Sequence, residues 1–221
     1  MKLNKKIRLL IAADGSAGSG KTTASKLIAK KYGLKFLSSG LLYRFVAYKL
    51  LTSKNVKSKN LFLKKITKKI SSKDLKNKYL FSPKVTKYTS KIAKIKKIRN
   101  LLKNYQKKFA KKKLVIIEGR DIGTVIIPKA DIKLFFKCPL DVTALRRFKE
   151  YRKINKKISF SDVKKAIRLR NSIDTKRKFS PLRVAKGAVV FDTSKVNKKQ
   201  MLIQLSKIVD DKLKEKYAGS I

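Results

Sequence analysis

The feature that most constrains the fold of this chain is a glycine-rich loop, GSAGSGKT, at residues 15–22. The apolar run IRLLIAA at residues 7–13 precedes it and is bounded by Asp14-Gly15, which is typical of a buried strand. Residues 21–31 follow with Leu27 and Ile28 near one face and Gly33 as a stop signal, which predicts a helix. A strand, a loop of the form G-x-x-x-x-G-K-[ST] and a helix together predict a site that binds a polyphosphate.

The chemistry of such a loop follows from its backbone. Glycines let the N–H groups point inward around phosphate groups, and the helix N-terminus adds its dipole. Lys21 is expected to reach the β- and γ-phosphates, and the Thr22 hydroxyl to ligate Mg²⁺. The motif indicates ATP or GTP without saying what is done with it, and a chance Gly/Ser loop is the alternative. The predicted ATP-binding residues are Gly15, Ser16, Ala17, Gly18, Ser19, Gly20, Lys21, Thr22 and Thr23.

Beyond this loop, apolar stretches alternate with stretches of helical periodicity. Strands are predicted at 34–37, 114–118 and 132–137 and in a stretch that ends at Asp192. Helices are predicted near 40–51, 85–110, 140–154, 160–176 and 197–216. Residues 52–83 are rich in Lys, Ser and Asn and are interpreted as an insertion. This alternation predicts one α/β domain over residues 1–221, with a parallel sheet flanked by helices.

The composition excludes several classes of mechanism. The chain has no histidine and a single cysteine, Cys138. These counts exclude His-based triads, His-ligated metals, a disulfide framework and a Cys-based zinc site. No stretch approaches the length of a membrane span, and the first apolar run is too short for a secretory signal. We therefore expect a soluble cytoplasmic monomer with no membrane partner.

The formal net charge of +48 would suit a nucleic-acid-binding protein. Lysine, however, is spread through nearly every segment, as a bias in the coding sequence would also produce. We expect weak nonspecific binding to nucleic acid from charge alone, and no specific nucleic-acid partner. Arginine is distributed differently, since only Arg8 and Arg44 precede residue 99. Where lysine is the default cation, an arginine indicates a planar fork that grips phosphate or carboxylate.

Two further segments are predicted to face the phosphate-binding loop. The second strand runs into SSGLLYR, in which Ser39 can donate a hydrogen bond and Arg44 lies one turn into the next helix. The third runs into EGRDIG, in which Arg120 can hold a phosphate and Asp121 can accept hydrogen bonds from a base edge. Because the carboxyl ends of parallel strands meet at one edge, these residues predict a second phosphate site. An N-cap serine and a solvated arginine are the alternative at 39 and 44.

A later helix carries three charged residues on one face. Arg170, Asp174 and Arg177 are spaced at i, i+4 and i+7. An intrahelical ladder of ion pairs is one interpretation and contact with a substrate is the other. Both hold if the ladder faces the substrate.

These motifs, in this order, resemble the bacterial cytidylate kinases over nearly the whole chain. The similarity lies in the phosphate-binding loop, SSGLLYR, GRDIGTVIIPKADIKLFF and the pattern R-x-x-x-D-x-x-R-x-x-x-P-L from Arg170 to Leu182. The segment GRDIGTV, followed by a proline and another strand, separates this family from adenylate, thymidylate and shikimate kinases. The resemblance implies a P-loop kinase fold with an NMP-binding insertion and helix at 52–110 and a basic lid at 146–160.

The resemblance also implies the site residues. The expected CMP-binding residues are Ser39, Arg44, Ser90, Arg99, Arg120, Asp121, Asp174 and Arg177. Among these, the phosphate would be held by Ser39, Arg44 and Arg120, and the cytosine read by Ser90, Arg99 and Asp121. Asp174, with Arg170 and Arg177, would reach the ribose or the transferring phosphate, and Arg146, Arg147 and Arg152 match the lid over ATP. The expected catalytic residues are Lys21, Arg120, Arg146, Arg152, Arg170 and Asp174.

The implied reaction transfers the γ-phosphate of ATP to CMP, and also to dCMP, with Mg²⁺ as cofactor. A monophosphate is a competent nucleophile at neutral pH, so no general base is needed, which suits a chain without histidine. One rival is a kinase of the same fold that acts on UMP or dTMP, which a nucleotide panel would separate. Another is a basic nucleic-acid-binding protein that uses the loop as a switch, whose ATPase would respond to RNA or DNA.

Overall fold

The computed structural model describes residues 7–53, 57–152 and 157–218. Within them lies a five-stranded sheet of order β2-β3-β1-β4-β5, and every pair of neighbouring strands is parallel. This confirms the α/β class and the parallel sheet predicted from the alternation of strands and helices. The strands are β1 (Leu9–Gly15), β2 (Lys35–Ser38), β3 (Leu114–Gly119), β4 (Ile132–Lys137) and β5 (Val189–Asp192).

Helices cover both faces of the sheet. None of the described helices is long and apolar enough to cross a membrane. They are α1 (Lys21–Tyr32), α2 (Ser39–Thr52), α3 (Lys59–Lys68), α4 (Pro83–Ile92), α5 (Lys96–Ala110), α6 (Leu140–Arg152), α7 (Phe160–Lys176) and α8 (Lys198–Tyr217).

The apolar runs become the central strands because both of their faces are covered. β1 is buried along its whole length and lies between β3 and β4. One apolar cluster packs residues such as Leu42, Ile98 and Leu102 from α2 and α5 against the sheet, and another packs Ile28 and Leu205 from α1 and α8 against the opposite face. A parallel sheet buried on both sides has near-continuous hydrophobic strands, as seen here.

The register of the strands brings their polar ends together. Asp14 of β1 lies opposite Gly119 of β3, and Ser38 of β2 lies opposite Glu118. The loops that follow these three strands therefore begin at one edge of the sheet. That edge carries the segments predicted to bind phosphate.

The single helix predicted at 85–110 is wrong, because the chain breaks it into α4 and α5. Ile95 is extended, with φ −83° and ψ 112°, and serves as the N-cap of α5. Apolar residues at helical spacing lie on both sides of the break, so the periodicity concealed it. The break leaves the carbonyl of Ala93 free to accept a hydrogen bond from Arg99 Nη1 at 3.0 Å.

The described part of the insertion is mostly helical. Residues 57–83 hold α3 and two short 3₁₀ turns, Asp74–Lys76 and Lys78–Phe81. The predicted lid, 146–160, falls on the end of α6, on the start of α7 and on residues 153–156, which lie outside the described residues. α6 and α7 pack on each other through a small apolar cluster that includes Ala144, Val163 and Ile167.

Candidate active site

A crevice of about 720 Å³ opens at the carboxyl edge of the sheet. It runs from the phosphate-binding loop to the beginning of α2 and to the residues after β3. Charged side chains dominate the middle of its lining, among them Lys21, Arg44, Glu118, Arg120, Arg146 and Arg170. The structure thus brings residues of both predicted phosphate sites to one crevice, namely Lys21 and Thr22 of the first and Arg44 and Arg120 of the second.

The loop at residues 15–20 needs glycine for two different reasons. Gly18 has a φ of 74°, and a Cβ there would lie 2.4 Å from Thr143 Cγ2 of α6. At Gly15 a Cβ would lie 2.3 Å from the carbonyl oxygen of Phe136 in β4. The first position needs a left-handed backbone, and the second needs a close approach of two main chains. Glycine at these two positions therefore lets the loop lie close to the end of the sheet.

Lys21 is the first residue of α1 and is folded back over the loop. Its Nζ donates a hydrogen bond to the carbonyl oxygen of Ser16 at 2.9 Å. The pKa of Lys21 is lowered to about 7, chiefly because the ammonium is buried and also because the guanidinium of Arg120 is near, while Glu118 partly offsets these effects. An ammonium in this position gains from a nearby anion, since a polyphosphate would replace the solvation it has lost.

Thr22 and Glu118 form the part of the crevice suited to a divalent cation. Glu118, at the end of β3, accepts hydrogen bonds from Thr22 Oγ1 at 2.9 Å and from Ser38 Oγ at 2.5 Å. Within the described residues no cluster of three or more His, Cys, Asp or Glu could hold a metal by itself. Magnesium commonly binds through one or two protein oxygens together with substrate phosphates. One hydroxyl and one carboxylate side by side fit that mode of binding.

The predicted acceptor-phosphate residues lie on the opposite wall. Arg44 Nη1 donates to the carbonyl oxygen of Leu80 at 2.7 Å and to Thr86 Oγ1 at 2.8 Å, and its guanidinium lies 5.2 Å from the ring centroid of Phe81. These contacts fix one side of the guanidinium fork. Ser39 is buried as the first residue of α2. The alternative of a solvated arginine at position 44 is therefore wrong.

Arg120 points into the same wall and is paired with a carboxylate. Its Nε lies 2.7 Å from Asp174 Oδ2 of α7, and its Nη1 donates to the carbonyl oxygen of Gly119 at 3.1 Å. Burial alone would raise the pKa of Asp174, but Arg120, Arg170 and Arg177 together outweigh burial and lower it. The carboxylate is therefore ionised at neutral pH and holds Arg120 in place.

Two of the predicted base-reading residues, Arg99 and Asp121, form a second ion-pair group with Arg177, and none of these three lines the crevice. Asp121 is buried and pairs with Arg99 Nη2, and Arg177 Nη2 lies 3.7 Å from the other carboxylate oxygen. Arg177 Nη2 is buried without a hydrogen-bond partner, while Arg177 Nε donates to the carbonyl oxygen of Ser180 at 2.6 Å. Ser90 is half-buried in α4. Arg99, Asp121 and Arg177 are thus brought together, and the partner of Asp121 is Arg99.

The helix face at 170–177 makes the ion pairs that one of its two interpretations predicted, and contact with a substrate stays a prediction. Arg177 Nη1 lies 3.7 Å from Asp174 Oδ1, which is a pair at i, i+3, and Asp174 also reaches Arg120 on the other wall. The pKa of Arg170 is lowered to about 10, first by burial and then by the nearby guanidinium of Arg120. Crowded cations of this kind make the crevice a site for anions.

The three predicted lid arginines have different surroundings. Arg146 Nη2 donates to the carbonyl oxygen of Thr193 at 2.7 Å, and Thr193 Oγ1 donates to the carbonyl oxygen of Ser19 at 3.1 Å, so Arg146 is tied to the phosphate-binding loop. Arg147 lines the crevice and pairs with Glu150 at 2.9 Å. Arg152 is exposed, lies over the ring of Phe148 and does not line the crevice. The structure therefore brings Arg146 and Arg147 to the crevice and leaves Arg152 outside it.

Sequence reasoning missed two contacts in the crevice. The role of Glu118 toward Thr22 was not predicted, although its place at the end of a buried strand was the signal that could have found it. Asn171 Oδ1 accepts a hydrogen bond from the backbone N–H of Ala17 at 3.0 Å. No motif points to Asn171, because this contact joins residues far apart in the chain.

The sequence of the chain is similar to named kinases along its length. A profile of the cytidylate kinase family matches residues 11–211. The cytidylate kinase of Thermosipho melanesiensis is 34% identical over 213 residues, covering 92% of this chain and 98% of that protein. The cytidylate kinase of Clostridium tetani is 34% identical over 221 residues, covering 95% of this chain and 98% of that protein.

Solved structures show the same fold at lower sequence identity. An uncharacterised protein from Eubacterium ventriosum has a TM-score of 0.56 at 15% identity and covers 92% of this chain and 99% of its own. Shikimate kinase from Bacteroides thetaiotaomicron has a TM-score of 0.50 at 13% identity and covers 91% of this chain and 98% of its own. These similarities agree with the predicted P-loop kinase fold.

Proposed function

Since the chain belongs to the cytidylate kinase family, we propose that it transfers the γ-phosphate of ATP to CMP, and also to dCMP, giving ADP and the diphosphate. One observation carries the proposal: a glycine-rich phosphate cradle faces a second cluster of arginines across the crevice. A site for a polyphosphate and a site for a monophosphate are what a phosphoryl transfer between nucleotides requires.

The donor occupies the loop at 15–22. Backbone N–H groups of the loop and the N-terminus of α1 bind its phosphates. Lys21 exchanges its hydrogen bond to the Ser16 carbonyl for contacts with the β- and γ-phosphates. Burial leaves its ammonium poorly solvated, so the phosphates stabilise the charge. Arg146, which is already tied to Thr193 next to the loop, lies on the donor side.

Thr22 and Glu118 are the residues that would hold Mg²⁺. A Mg²⁺ ion held there would supply positive charge to neutralise the charge that develops during transfer. Glu118 orients the Thr22 hydroxyl through the hydrogen bond of 2.9 Å. The same carboxylate accepts from Ser38, so it also joins this place to the beginning of the acceptor wall.

The acceptor monophosphate binds between Ser39, Arg44 and Arg120. Both guanidinium groups are held by protein contacts on one side, which leaves the remaining N–H groups for a bidentate grip on phosphate. The base lies toward Asp121, Arg99 and Ser90. Asp121 accepts from the exocyclic amino group of cytosine, and Arg99 donates toward ring acceptors.

Catalysis then consists of alignment and of charge neutralisation. The acceptor phosphate is already ionised, so no residue has to remove a proton. The reaction therefore needs no histidine, and the chain has none. Lys21, Arg120 and Arg170 surround the transferring group, and an in-line approach needs little else. Closure of the α6–α7 hairpin over the crevice excludes water, which would otherwise accept the phosphoryl group.

The test is CMP-dependent release of ADP from ATP, measured for CMP, dCMP, UMP, dTMP and AMP. We expect CMP and dCMP to be the preferred acceptors, and Lys21→Ala to lose kcat by on the order of 10³-fold or more. Lys30→Ala is the matched control, because Lys30 is exposed on the same helix. A preference for UMP or dTMP would contradict the assignment of the base site. ATPase activity that responds to RNA and not to CMP would contradict the proposed kinase activity.

A further inference from the structure

We infer that Asp14 is a positioning residue that holds the acceptor loop, residues 119–127, against the phosphate-binding loop. Asp14 is the last residue before Gly15, so it stands where β1 enters the phosphate-binding loop. Its carboxylate reaches sideways to the loop that follows β3. The inference rests on the proposed function for the roles of Arg120 and Asp121.

Both oxygens of the carboxylate are used by backbone amides. Oδ1 accepts from Ile122 N at 2.8 Å, and Oδ2 accepts from Gly123 N at 2.7 Å. A Cβ at Gly123 would lie 3.4 Å from Oδ2 and 3.2 Å from the Cβ of Ala185, so the chain passes close to Asp14 at this point. The two amides directly follow Arg120 and Asp121 in the sequence. Asp14 therefore fixes the backbone that carries both acceptor-site side chains.

The acceptor loop has an uncommon shape that needs such a partner. Residues Ile122–Ile126 form one turn of π-helix, in which Ile126 N donates to Asp121 O at 3.2 Å and Ile127 N donates to Ile122 O at 2.8 Å. The first amides of a helical turn have no acceptor within the turn. Asp14 supplies two acceptors there. π-Helical turns frequently occur at functional sites.

The electrostatics of Asp14 show that burying its carboxylate has a cost, which the two amide contacts offset only in part. Asp14 is 3% exposed. The pKa of its carboxyl is raised to about 6, because burial, with a smaller contribution from Asp121, outweighs the lowering by the two amides and by Arg120. Because its pKa is raised in the fold, the ionised carboxyl of Asp14 is less stable there at neutral pH than it would be in water. Its geometric use is the reason that the structure offers for its presence.

The geometric use is specific to a carboxylate. Two N–H donors converge on the group, and an ionised carboxyl presents an acceptor to each of them. An asparagine in the same place would present one acceptor and one NH₂ group, so one amide would meet a donor. The acceptor loop would then shift relative to the phosphate cradle. Because in-line transfer depends on the distance between donor and acceptor, a shift of about 1 Å can cost on the order of a hundredfold in rate.

An NMR titration of the substrate-free protein tests the contact without using activity. We expect the amide proton shifts of Ile122 and Gly123 to titrate together with a midpoint raised well above that of an ordinary carboxyl, and we expect Asp14→Asn to remove this titration. Asp131→Asn is the matched control, because Asp131 accepts from the β1 amide of Leu10 at 2.7 Å at the opposite end of the sheet. Two amides that do not titrate in the wild type would overturn the inference.

Steady-state kinetics test the consequence. We expect Asp14→Asn to lower kcat/KM for CMP by between about tenfold and a hundredfold. The affinity for a nonhydrolysable ATP analogue should change much less, because both hydrogen bonds of the Asp14 carboxylate go to the acceptor loop and the phosphate-binding loop keeps its own contacts. Asp131→Asn should resemble the wild type in both measurements. Wild-type kinetics in Asp14→Asn would overturn the positioning role.

Other outcomes separate this inference from the proposed function. Equal losses of ATP-analogue binding and of CMP turnover, together with a lower Tm, would show that Asp14 is only structural. A wild-type protein that does not phosphorylate CMP would contradict the proposed function, and the titration of the two amides would still decide whether Asp14 holds the loop. If Asp14→Asn does not fold, the wild-type titration decides the same point.

Discussion

Asn171 accepts a hydrogen bond from the backbone N–H of Ala17, with 3.0 Å between Oδ1 and N. This bond joins α7, which carries Arg170 and Asp174, to the tip of the phosphate-binding loop. α7, whose Asp174 pairs with Arg120, is therefore attached directly to the phosphate-binding loop. Asparagine suits this place because its oxygen accepts a hydrogen bond without adding a negative charge beside bound phosphates.

Removing that bond should affect turnover more than folding. We expect Asn171→Ala to lower kcat/KM for both nucleotides. The loss of transition-state stabilisation should be about 1 kcal/mol, the usual net value of one hydrogen bond. Asn171→Asp should keep the hydrogen-bond acceptor but weaken the binding of ATP more than that of CMP. The new carboxylate would repel the phosphates of ATP, because like charges in contact repel. Thr175→Ala, an exposed change on the same helix, is the control. An Asn171→Asp enzyme with unchanged KM for ATP would contradict this role.

The lowered pKa of Lys21 predicts that protons are taken up when ATP binds. In the substrate-free protein the pKa lies near 7 because the ammonium is buried, whereas its ordinary value is 10.5. Phosphate groups favour the charged form and raise the pKa again. Below the lowered pKa Lys21 is already protonated, so uptake should be small there, and it should approach one proton at about pH 8.5. The affinity for ATP should accordingly fall as the pH rises above 7.

Calorimetry in buffers of different ionisation enthalpy measures this uptake directly. Lys21→Ala should bind ATP with no such component, and Lys30→Ala should keep it. Uptake that persists in Lys21→Ala would assign the proton to another group.

Lysine should not replace arginine at positions 44 and 120. The Arg44 fork holds Leu80 and Thr86 on one side, and Arg120 holds Asp174 through Nε, which leaves the other N–H groups for phosphate. An ammonium cannot make both sets of contacts. We expect Arg44→Lys and Arg120→Lys each to lose about 2–4 kcal/mol in kcat/KM for CMP, with KM for ATP little changed. Arg183→Lys, at an exposed position, is the control. Normal kinetics in both variants would place the acceptor phosphate elsewhere.

Asp121 should decide between cytosine and uracil. Cytosine presents an amino donor where uracil presents a carbonyl acceptor, so a carboxylate favours the first and repels the second. We expect Asp121→Asn to lose about 1–3 kcal/mol of the preference for CMP over UMP, measured as a ratio of kcat/KM values. If Asp121 serves only to hold Arg99, the two nucleotides should lose activity together and the ratio should not change.

The exposed lysines of α3 should be dispensable for catalysis. Replacing Lys59, Lys64, Lys65, Lys68 and Lys69 by Gln changes residues that are exposed. We expect kcat to stay within about twofold of wild type, because surface changes away from a site have small effects. Nonspecific affinity for RNA should fall and depend less on salt. A loss of kinase activity that added RNA restores would favour a nucleic-acid-dependent function.

The features predicted well from the sequence are those that depend on local pattern. The buried runs became β1, β3 and β4, and the phosphate-binding loop lies between β1 and α1 as its motif requires. The break between α4 and α5 could not be predicted, because one extended residue, Ile95, leaves the apolar spacing on both sides intact. Periodicity reports which face of a helix is buried and says little about where the helix stops.

The partners of the charged side chains depend on contacts that are distant in sequence. Arg120 and Asp121 are adjacent in the sequence, yet Arg120 pairs with Asp174 and Asp121 with Arg99. Adjacent residues after a strand point in different directions, so each finds a partner on another element. The sequence could place these side chains at one edge of the sheet, but it could not pair them.

The pairing of Arg120 with Asp174 makes the carboxylate a competitor of the substrate. A phosphate that binds Arg120 must either displace Asp174 from Nε or accept only the N–H groups that remain, so an anion with a single contact gains little. A nucleotide that also makes base and ribose contacts can meet that cost. Free inorganic phosphate lacks those contacts and cannot meet the cost. Arg120 should therefore stay available in a cell where small phosphates are abundant. Neutralising Asp174 should accordingly make the site bind small anions more tightly and discriminate among them less well.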